Sequence, residues 1–290
     1  ATPVLTVGSK GTLGGVGVVR GDIDVSGELS PGNSPGTLTV YGDVTLNSSA
    51  VATIEVDGTG TGNGAGNYDR LILAGSGNVF TAGGTLAPQL RGISGSATNS
   101  FTPQPGELFT FVSAPDGSVA GSFDGLAQPA SGLAANTRFD VLYFDNALSL
   151  AATPERYGDL AALGITGTVN ETALGTAIDM ARPAAGVRPD AAYNDAYNTL
   201  YAADLDALAA GLPSMTGQLH AEIGTTAVRA VGRFADAVGT RQMQLTNGLA
   251  GTGDRSAGEG TLWASGNSLS TSVGSANGLS GYDVSGGNGV

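Results

Sequence analysis

The pentapeptide Gly-Asn-Ser-Pro-Gly at residues 32–36 has the spacing of a catalytic motif. It matches the G-x-S-x-G pattern of hydrolases, in which the serine is the nucleophile and the N–H of the next residue stabilises the oxyanion. Here the next residue is Pro35, which has no N–H. The flanking residues also predict two strands, without the helix that should follow the serine. We therefore interpret the pentapeptide as a corner between strands, with the nucleophile as the alternative.

The chain contains one histidine, His220, and no cysteine. A serine–histidine triad would need His220, but the apolar spacing around it predicts an ordinary polar position on a long helix. These counts also exclude a metal site built from two histidines or from thiolates. Asp204 and Asp206 are two residues apart and diverge on a helix, so we interpret them as solvated charges rather than an acid/base pair.

The stretch GTGTGNGAGNYD at residues 58–69 resembles two binding motifs. As a phosphate loop it lacks the strand-to-helix context that places a helix N-terminus on the phosphate. As a calcium repeat it occurs once, and the single aspartate Asp69 cannot supply the six to eight oxygen ligands of calcium. We predict a flexible loop between strands. We expect no catalytic, cofactor-binding or metal-binding residues and no enzymatic activity within this chain.

The composition favours many short strands. The 290 residues include 48 glycines, and 13% of the residues are charged and 6% are aromatic. A core would therefore be built from short strands rich in Val, Ile and Leu, joined by glycine-rich turns. The net charge of −13 disfavours a nucleic-acid surface, because phosphate binding needs clustered Lys and Arg. GDIDVS at Gly21 and GDVTLN at Gly42 form a repeat offset by 21 residues. This period predicts a β-solenoid over residues 1–150.

The pattern becomes helical after residue 150 and predicts a linker region over residues 151–258. Asn170 is the expected cap of a first helix, and Ser214 of a long helix near residues 214–245. A helix between them has an apolar face and is expected to stop at Gly211 and Pro213. That face consists of Ala192, Ala196, Leu200, Ala203 and Ala207. Residues 259–290 predict two more strands, in which Trp263 and Tyr282 fit interfacial aromatics of a membrane barrel.

Five stretches resemble, in order, the C-terminal part of bacterial autotransporter proteins of type V secretion. They are GTLGGVGVVRGDIDVSGELSPGNSPGTLTVYGDVTL, YDRLILAGSGNVFTAGGTLAPQL, GELFTFVSAPDGSVAGSFDGL with RFDVLYFDNALSLAAT, NETALGTAID with LPSMTGQLHAEI, and GTLWASG with GYDVSGGNGV. The resemblance implies a mainly β fold: a right-handed parallel β-helix with an autochaperone-like cap, an α-helical linker, and the first strands of a truncated outer-membrane β-barrel. Residues after Gly258 supply two strands, whereas the smallest barrels need about eight, so we expect this barrel to be incomplete here.

The resemblance also implies a location and partners. These are the outer membrane and cell surface of a Gram-negative bacterium after export through the periplasm, the chain's own barrel, the barrel-assembly machinery, periplasmic chaperones and a host-cell ligand. The long helix would thread the barrel lumen, because its charged residues are too costly in lipid. We hypothesise that Arg229 and Arg233 face acidic groups on the barrel wall.

Three functions follow as hypotheses. The first is a non-catalytic passenger stem and linker that supports translocation and folding of the passenger. Its proposed folding nucleus is the densest bulky cluster in the chain, Phe109, Phe111, Val112, Phe139, Val141, Leu142 and Phe144. The second is an adhesin whose solenoid binds host or neighbouring cells. The third is the stalk of a surface hydrolase whose catalytic domain lies upstream.

Overall fold

The computed structural model describes residues 2–216, 232, 235–236, 240, 267–273 and 282–289. Over these residues the chain is mainly β, as predicted, with three mostly parallel sheets followed by helices. Contacts divide the chain into a larger unit, Ala1–Thr166 with Gly175–Ala209, and a smaller unit, Gly167–Leu174 with Ala210–Val290. Of the helices among the described residues, none has the length and apolar character that crossing a membrane requires.

The strands before the helices are short. In chain order they are β1 (Val4–Val7), β2 (Thr12–Gly15), β3 (Gly17–Arg20), β4 (Asp22–Val25), β5 (Glu28–Pro31), β6 (Thr37–Tyr41), β7 (Val44–Leu46), β8 (Val51–Glu55), β9 (Arg70–Leu73), β10 (Val79–Ala82), β11 (Thr85–Gln89), β12 (Leu108–Ser113), β13 (Ser118–Gly121), β14 (Gly125–Leu126), β15 (Thr137–Tyr143) and β16 (Ala147–Pro154).

Strands pair in parallel with the strand three positions further along the chain. One sheet has the order β1-β4-β7-β10-β13, the second has β14-β11-β8-β5-β2, and the third has β15-β16-β12-β9-β6-β3. Parallel neighbours need a long crossover connection, and here the strands of the other two sheets provide it. Three consecutive strands therefore contribute one strand to each sheet.

Apolar side chains form columns through the sheets because strands such as β4, β5, β9 and β10 alternate buried and outward positions. In the first sheet Ile23 pairs with Val44, which pairs with Phe80, which pairs with Val119. These four side chains are all at most 6% exposed. Stacking one apolar residue on the next along the sheet buries a continuous core that one strand alone could not bury.

The sequence repeat that begins at Gly21 and Gly42 has a hydrogen-bonding role. Oδ1 of Asp22 accepts the N–H of Asp43 at 3.0 Å, and Oδ1 of Asp43 accepts the N–H of Val79 at 2.8 Å. Each aspartate thus satisfies a backbone donor further along the chain, 21 residues away for Asp22 and 36 residues away for Asp43. A Cβ on Gly42 would overlap the carbonyl oxygen of Gly21, so only glycine permits these two segments to approach this closely.

The third sheet ends in antiparallel strands. β12 lies parallel to β9 on one side and antiparallel to β16 on the other, and β16 pairs antiparallel with β15. We call β15 and β16 together the closing hairpin. β16 continues to Pro154, past the boundary predicted at residue 150. The division into residues 1–150, 151–258 and 259–290 stays a prediction.

Helices follow the closing hairpin: a 3₁₀-helix at Tyr157–Leu163, then α1 (Val169–Ala181), α2 (Asn194–Tyr201) and α3 (Leu205–Met215). The predicted cap at Asn170 is wrong, because Asn170 lies inside α1. Thr168 caps it instead: Oγ1 of Thr168 accepts the N–H of Glu171 at 3.4 Å, and the N–H of Thr168 donates to the Glu171 carboxylate at 2.9 Å. This reciprocal pair is a capping box.

The single helix predicted from Ala192 onward is interrupted between α2 and α3. Oδ1 of Asp204 accepts the N–H of Ala207 at 2.8 Å, so Asp204 is a cap and not merely a solvated charge. The predicted stop is also wrong: α3 includes Gly211 and Pro213. Pro213 has no N–H to donate to the carbonyl of the preceding turn, and α3 ends two residues after it.

Ser214, the predicted cap of the long helix, lies in the last turn of α3, where its Oγ donates to the carbonyl of Gly211 at 2.7 Å. Most of the helix predicted near residues 214–245 lies outside the described residues. After Gly258 the two predicted strands are present as β17 (Asn267–Val273) and β18 (Tyr282–Gly289), which pair antiparallel. Their membership in a barrel stays a prediction.

Candidate functional site

The serine motif is a corner between strands, which confirms that interpretation. We call residues 32–36 the serine corner; it connects β5 to β6, and no helix follows. Oγ of Ser34 lies 2.7 Å from Oγ of Ser94, and the hydroxyl also contacts the Glu55 carboxylate. Because Pro35 has no N–H to donate to an oxyanion, this arrangement cannot support acyl transfer by the elbow mechanism.

A buried carboxylate, Asp69, fixes the serine corner to the neighbouring strands. Its oxygens accept the N–H of Gly36 at 2.8 Å and the N–H of Glu55 at 2.9 Å, and the residue is 0% exposed. Burial raises the pKa of Asp69 to about 7, the two N–H donors oppose this, and the charge of Glu55 adds to it. Burial likewise raises the pKa of Glu55. Asp69 is therefore a structural link with a pKa near neutrality.

Gly32 makes room for this carboxylate. Its φ is 101°, in the region that favours glycine, and a Cβ there would overlap Oδ1 of Asp69. The glycines of the motif therefore serve the approach of backbone to a buried side chain.

The loop from residue 58 to residue 69 connects β8 to β9, as predicted, but hydrogen bonds within it argue against the predicted flexibility. The carboxylate of Asp57 accepts the N–H groups of Gly66, Thr98 and Asn99 and the hydroxyl of Thr98, at 2.7–3.0 Å. Burial opposes ionisation of Asp57, but these donors outweigh it and lower the pKa of Asp57. Hydrogen bonds to Asp57 therefore connect this loop to the loop between β11 and β12.

Neither loop has the ligands of a metal site. Among the described residues no group of three or more His, Cys, Asp or Glu side chains lies close enough together to hold an ion. Asp57 and Asp69 both use their oxygens to accept N–H groups of the chain.

The bulky cluster predicted to be a folding nucleus lies on β12 and the closing hairpin. Six of its seven members are at most 2% exposed, and the rings of Phe109 and Phe139 meet edge to face at 6.2 Å between centroids. Phe144 is the exception at 39% exposure, because it follows β15 in the turn before β16. The apolar core thus extends into the antiparallel strands.

A buried cluster that we call the arginine centre joins the helices to the closing hairpin. It consists of Arg138, Asp140, Thr153 and Arg182. Asp140 binds both guanidinium groups, that of Arg138 at 2.8 Å and that of Arg182 at a short contact. Arg182 follows α1 and also donates to Oγ1 of Thr153 at 2.6 Å and to the carbonyl of Pro154 at 2.9 Å. Both Asp140 and the Arg182 side chain are 2% exposed.

Two aromatic rings complete the surroundings of Arg182. Its guanidinium carbon lies 4.9 Å from the ring centre of Tyr157 and 5.2 Å from that of Tyr201, a cation–π geometry. Burial is the largest influence and disfavours its charge, but Asp140, Tyr157 and Tyr201 together outweigh burial, so the pKa of Arg182 is raised. Burial raises the pKa of Tyr157 and Tyr201 as well. Tyr201 belongs to α2, so one side chain connects two helices to the closing hairpin.

Sequence reasoning missed the arginine centre. Asp140 interrupts the apolar run RFDVLYF, and a charge inside a buried strand is a signal of a paired carboxylate. The same reasoning gives no partner for it, because Arg182 is 42 residues away in the sequence.

Several predicted residues lie outside the part of the chain that the structure describes. Arg229 and Arg233, the proposed lumen-facing residues, are among them, as are His220 and Trp263. Tyr282 is the first residue of β18. The hypothesis that Arg229 and Arg233 face acidic groups therefore stays a prediction.

Comparison with known proteins adds no relative: no protein-family model, no curated protein and no solved structure matches this chain.

Proposed function

We propose that this chain is the passenger stem and linker of an outer-membrane autotransporter, and that it has no catalytic role. In this proposal the three sheets are the faces of a right-handed parallel β-helix. The regular pairing of each strand with the third strand after it supports such coils, as does the stacking of apolar residues in columns.

The observation that carries the proposal is the closing hairpin. The end of a parallel sheet exposes unpaired N–H and C=O groups, which can pair with other chains. Antiparallel β16 covers that edge of β12, and the buried aromatic residues of the bulky cluster lie beneath it. A chain that emerges unfolded at a cell surface needs such a stable end, on which later coils can form one after another.

The remaining parts of the proposal concern location and partners. The chain would reside at the outer membrane and cell surface of a Gram-negative bacterium. It would act with its own barrel, the barrel-assembly machinery and periplasmic chaperones. The antiparallel pair β17 and β18 would be the first strands of that barrel.

A matched pair of substitutions tests the nucleus role. Phe139 in β15 and Phe80 in β10 are both buried, at 0% and 1% exposure, so Phe139→Ala and Phe80→Ala should each cost about 3–5 kcal/mol of stability. If the closing hairpin forms first, Phe139→Ala slows refolding, whereas Phe80→Ala mainly speeds unfolding. Stopped-flow refolding and unfolding kinetics separate the two. If the two variants changed the refolding and unfolding rates in the same proportion, the proposed folding nucleus in the closing hairpin would be contradicted.

The location is tested in cells. Gram-negative cells that produce the full-length gene product should present the residues of β1–β16 to protease added outside intact cells. Phe139→Ala should lower this surface signal more than Phe80→Ala does. Recovery of the wild-type protein only in the cytoplasmic fraction would disprove the export role.

A further inference from the structure

A cleft on the larger unit lies beside the arginine centre. Its volume of about 570 Å³ falls in the range of roughly 300–1,000 Å³ that small-molecule sites occupy. The walls come from the segment after β14, the first residues of β15, the residues after β16, and Ala185. The lining residues are Gln128, Pro129, Ala130, Ser131, Leu133, Thr137, Arg138, Glu155, Arg156 and Ala185.

The charge around this cleft is opposite to that of the whole chain. The protein has a net charge of −13. Arg138 and Arg156 line the cleft, and Arg182 lies behind its wall, where it donates to the carbonyls of Pro154 and Glu155. Among the residues that line the cleft, the two guanidinium groups of Arg138 and Arg156 against the carboxylate of Glu155 leave one positive charge. A solute with a single negative group would neutralise it.

Arg138 and Arg156, the two arginines that line the cleft, have N–H donors that can bind a ligand. Arg138 uses Nε and one Nη to bind Asp140, at 3.1 and 2.8 Å, and its side chain is 23% exposed. Arg156 is exposed and precedes the 3₁₀-helix without capping it. Within the described residues it makes no ion pair and no side-chain hydrogen bond. A guanidinium presents several N–H donors in a plane that matches carboxylate and phosphate oxygens.

The cleft is preformed. The side chain of Gln128 donates to the carbonyl of Phe139 and accepts its N–H, both at 2.8 Å, so the segment after β14 is fixed along the edge of β15. Oγ1 of Thr137 donates to the carbonyl of Ala134 at 2.7 Å, and the N–H of Glu155 donates to the carbonyl of Asn136 at 2.8 Å. Binding to walls that are already ordered avoids the entropy cost of ordering them.

We propose that this cleft binds a small organic anion through a carboxylate or phosphate group held by Arg156 and Arg138. Glu155 and Ser131 also line the cleft and would bind hydroxyl groups of the solute. The site would take an acidic solute of about the size of a monosaccharide. It is independent of the export role.

The test is binding of defined probes to the full chain. Glucuronate presents a carboxylate, glucose 6-phosphate presents a phosphate, and glucose is the matched uncharged probe. Isothermal titration calorimetry should detect binding of one or both anions with one site per chain, and no heat with glucose. Binding of only one anion identifies the group that the cleft prefers. No heat with either anion, or equal heat with glucose, would overturn the proposal.

Substitutions locate the binding. Arg156→Gln should weaken binding of the anion by about tenfold or more, as expected for loss of a charge-assisted hydrogen bond. Arg20→Gln is the matched control: Arg20 is exposed on β3 and stacks on Tyr41, away from the cleft. Circular dichroism should show that both variants remain folded. An equal loss of affinity in the two variants would mean that only net charge matters, and would overturn the site.

Discussion

At the scale of single residues, the serine corner shows why a catalytic pattern can occur without catalysis. Gly32 and Gly36 surround a serine, as in a hydrolase, but Gly32 leaves space for the carboxylate of Asp69 and the N–H of Gly36 binds that carboxylate. Both glycines are therefore required by the packing of the corner around Asp69. The G-x-S-x-G pattern arises here from that packing and not from catalysis.

Substitution of Gly32 measures this crowding. Gly32→Ala should be more destabilising than Gly77→Ala, since both glycines have positive φ but only Gly32 also lacks space for a Cβ. Gly8→Ala is the control without either constraint. We expect a loss of about 1–3 kcal/mol for Gly77→Ala, more for Gly32→Ala, and little change for Gly8→Ala. Urea unfolding measures all three, and equal losses at Gly32 and Gly77 would contradict the overlap with Asp69.

Asp69 predicts an unusual pH dependence of stability. Its pKa is raised to about 7 in the folded chain from 3.8, so the folded state retains a proton that the unfolded state has lost. The stability that this group contributes is present below about pH 4 and disappears as the pH rises through 7. At about 1.4 kcal/mol per pKa unit, the free energy of unfolding should fall by on the order of 3 kcal/mol between pH 4 and pH 8.

Two variants isolate that effect. Asp69→Asn should flatten the fall, although it also loses one N–H partner. Asp57→Asn is the counterpart with the opposite sign: the pKa of Asp57 is lowered, so its contribution is lost as the pH falls below about 4. Urea titrations at a series of pH values compare them. A wild-type slope between pH 4 and pH 8 that persists in Asp69→Asn would assign it to another group.

At the scale of elements, one buried side chain decides how helices attach to a sheet. Arg182 reaches Asp140 on β15, the carbonyl of Pro154 on β16 and the ring of Tyr201 on α2. Two buried charges cost desolvation free energy, which the pair recovers only while both partners are present. The arginine centre therefore favours one attachment of helices to the closing hairpin over others.

A double-mutant cycle tests this coupling. Asp140→Leu should cost about 3–5 kcal/mol, because it leaves Arg182 buried without its carboxylate. Arg182→Met should cost less, because Asp140 keeps its ion pair with Arg138, and the double variant should cost less than the sum of the two. Arg188→Met is the control, since Arg188 stacks on Tyr143 and forms no ion pair within the described residues. Denaturant unfolding gives the coupling free energy. Additive losses would show that Asp140 and Arg182 act independently.

At the scale of the whole molecule, the main buried core among the described residues lies in the larger unit. The main buried core runs from Val7 to Ala152, and every member of it belongs to that unit. The free energy of unfolding depends chiefly on buried apolar area. Residues after Met215 should contribute little to the unfolding of this core.

A shortened chain tests the distribution of stability. A chain ending at Met215 keeps all of α3 and should unfold within about 3 °C of the full chain, a difference of about 1 kcal/mol for a protein of this size. Circular dichroism at a β-sheet wavelength follows the transition. A much lower midpoint would show that the later residues support the core.

Local pattern in the sequence determined the mainly β character, the short strands, and the assignment of the serine motif to a corner. Alternation with a period of two and glycine punctuation act over a few residues, so they can be recognised without a fold. Helix ends were less predictable: Thr168 rather than Asn170 caps α1, and α3 passes through Pro213. Capping depends on the geometry of one turn, and several residues nearby had the right chemistry.

Only the tertiary structure decided which distant groups meet. Asp69 meets Gly36 because β9 pairs with β6, and Asp140 meets Arg182 because α1 ends beside the closing hairpin. The run RFDVLYF indicates that Asp140 is buried, and a buried carboxylate requires a positively charged or hydrogen-bonding partner. The identity of that partner, Arg182, depends on how the helices pack on the closing hairpin, and no spacing within one element predicts it.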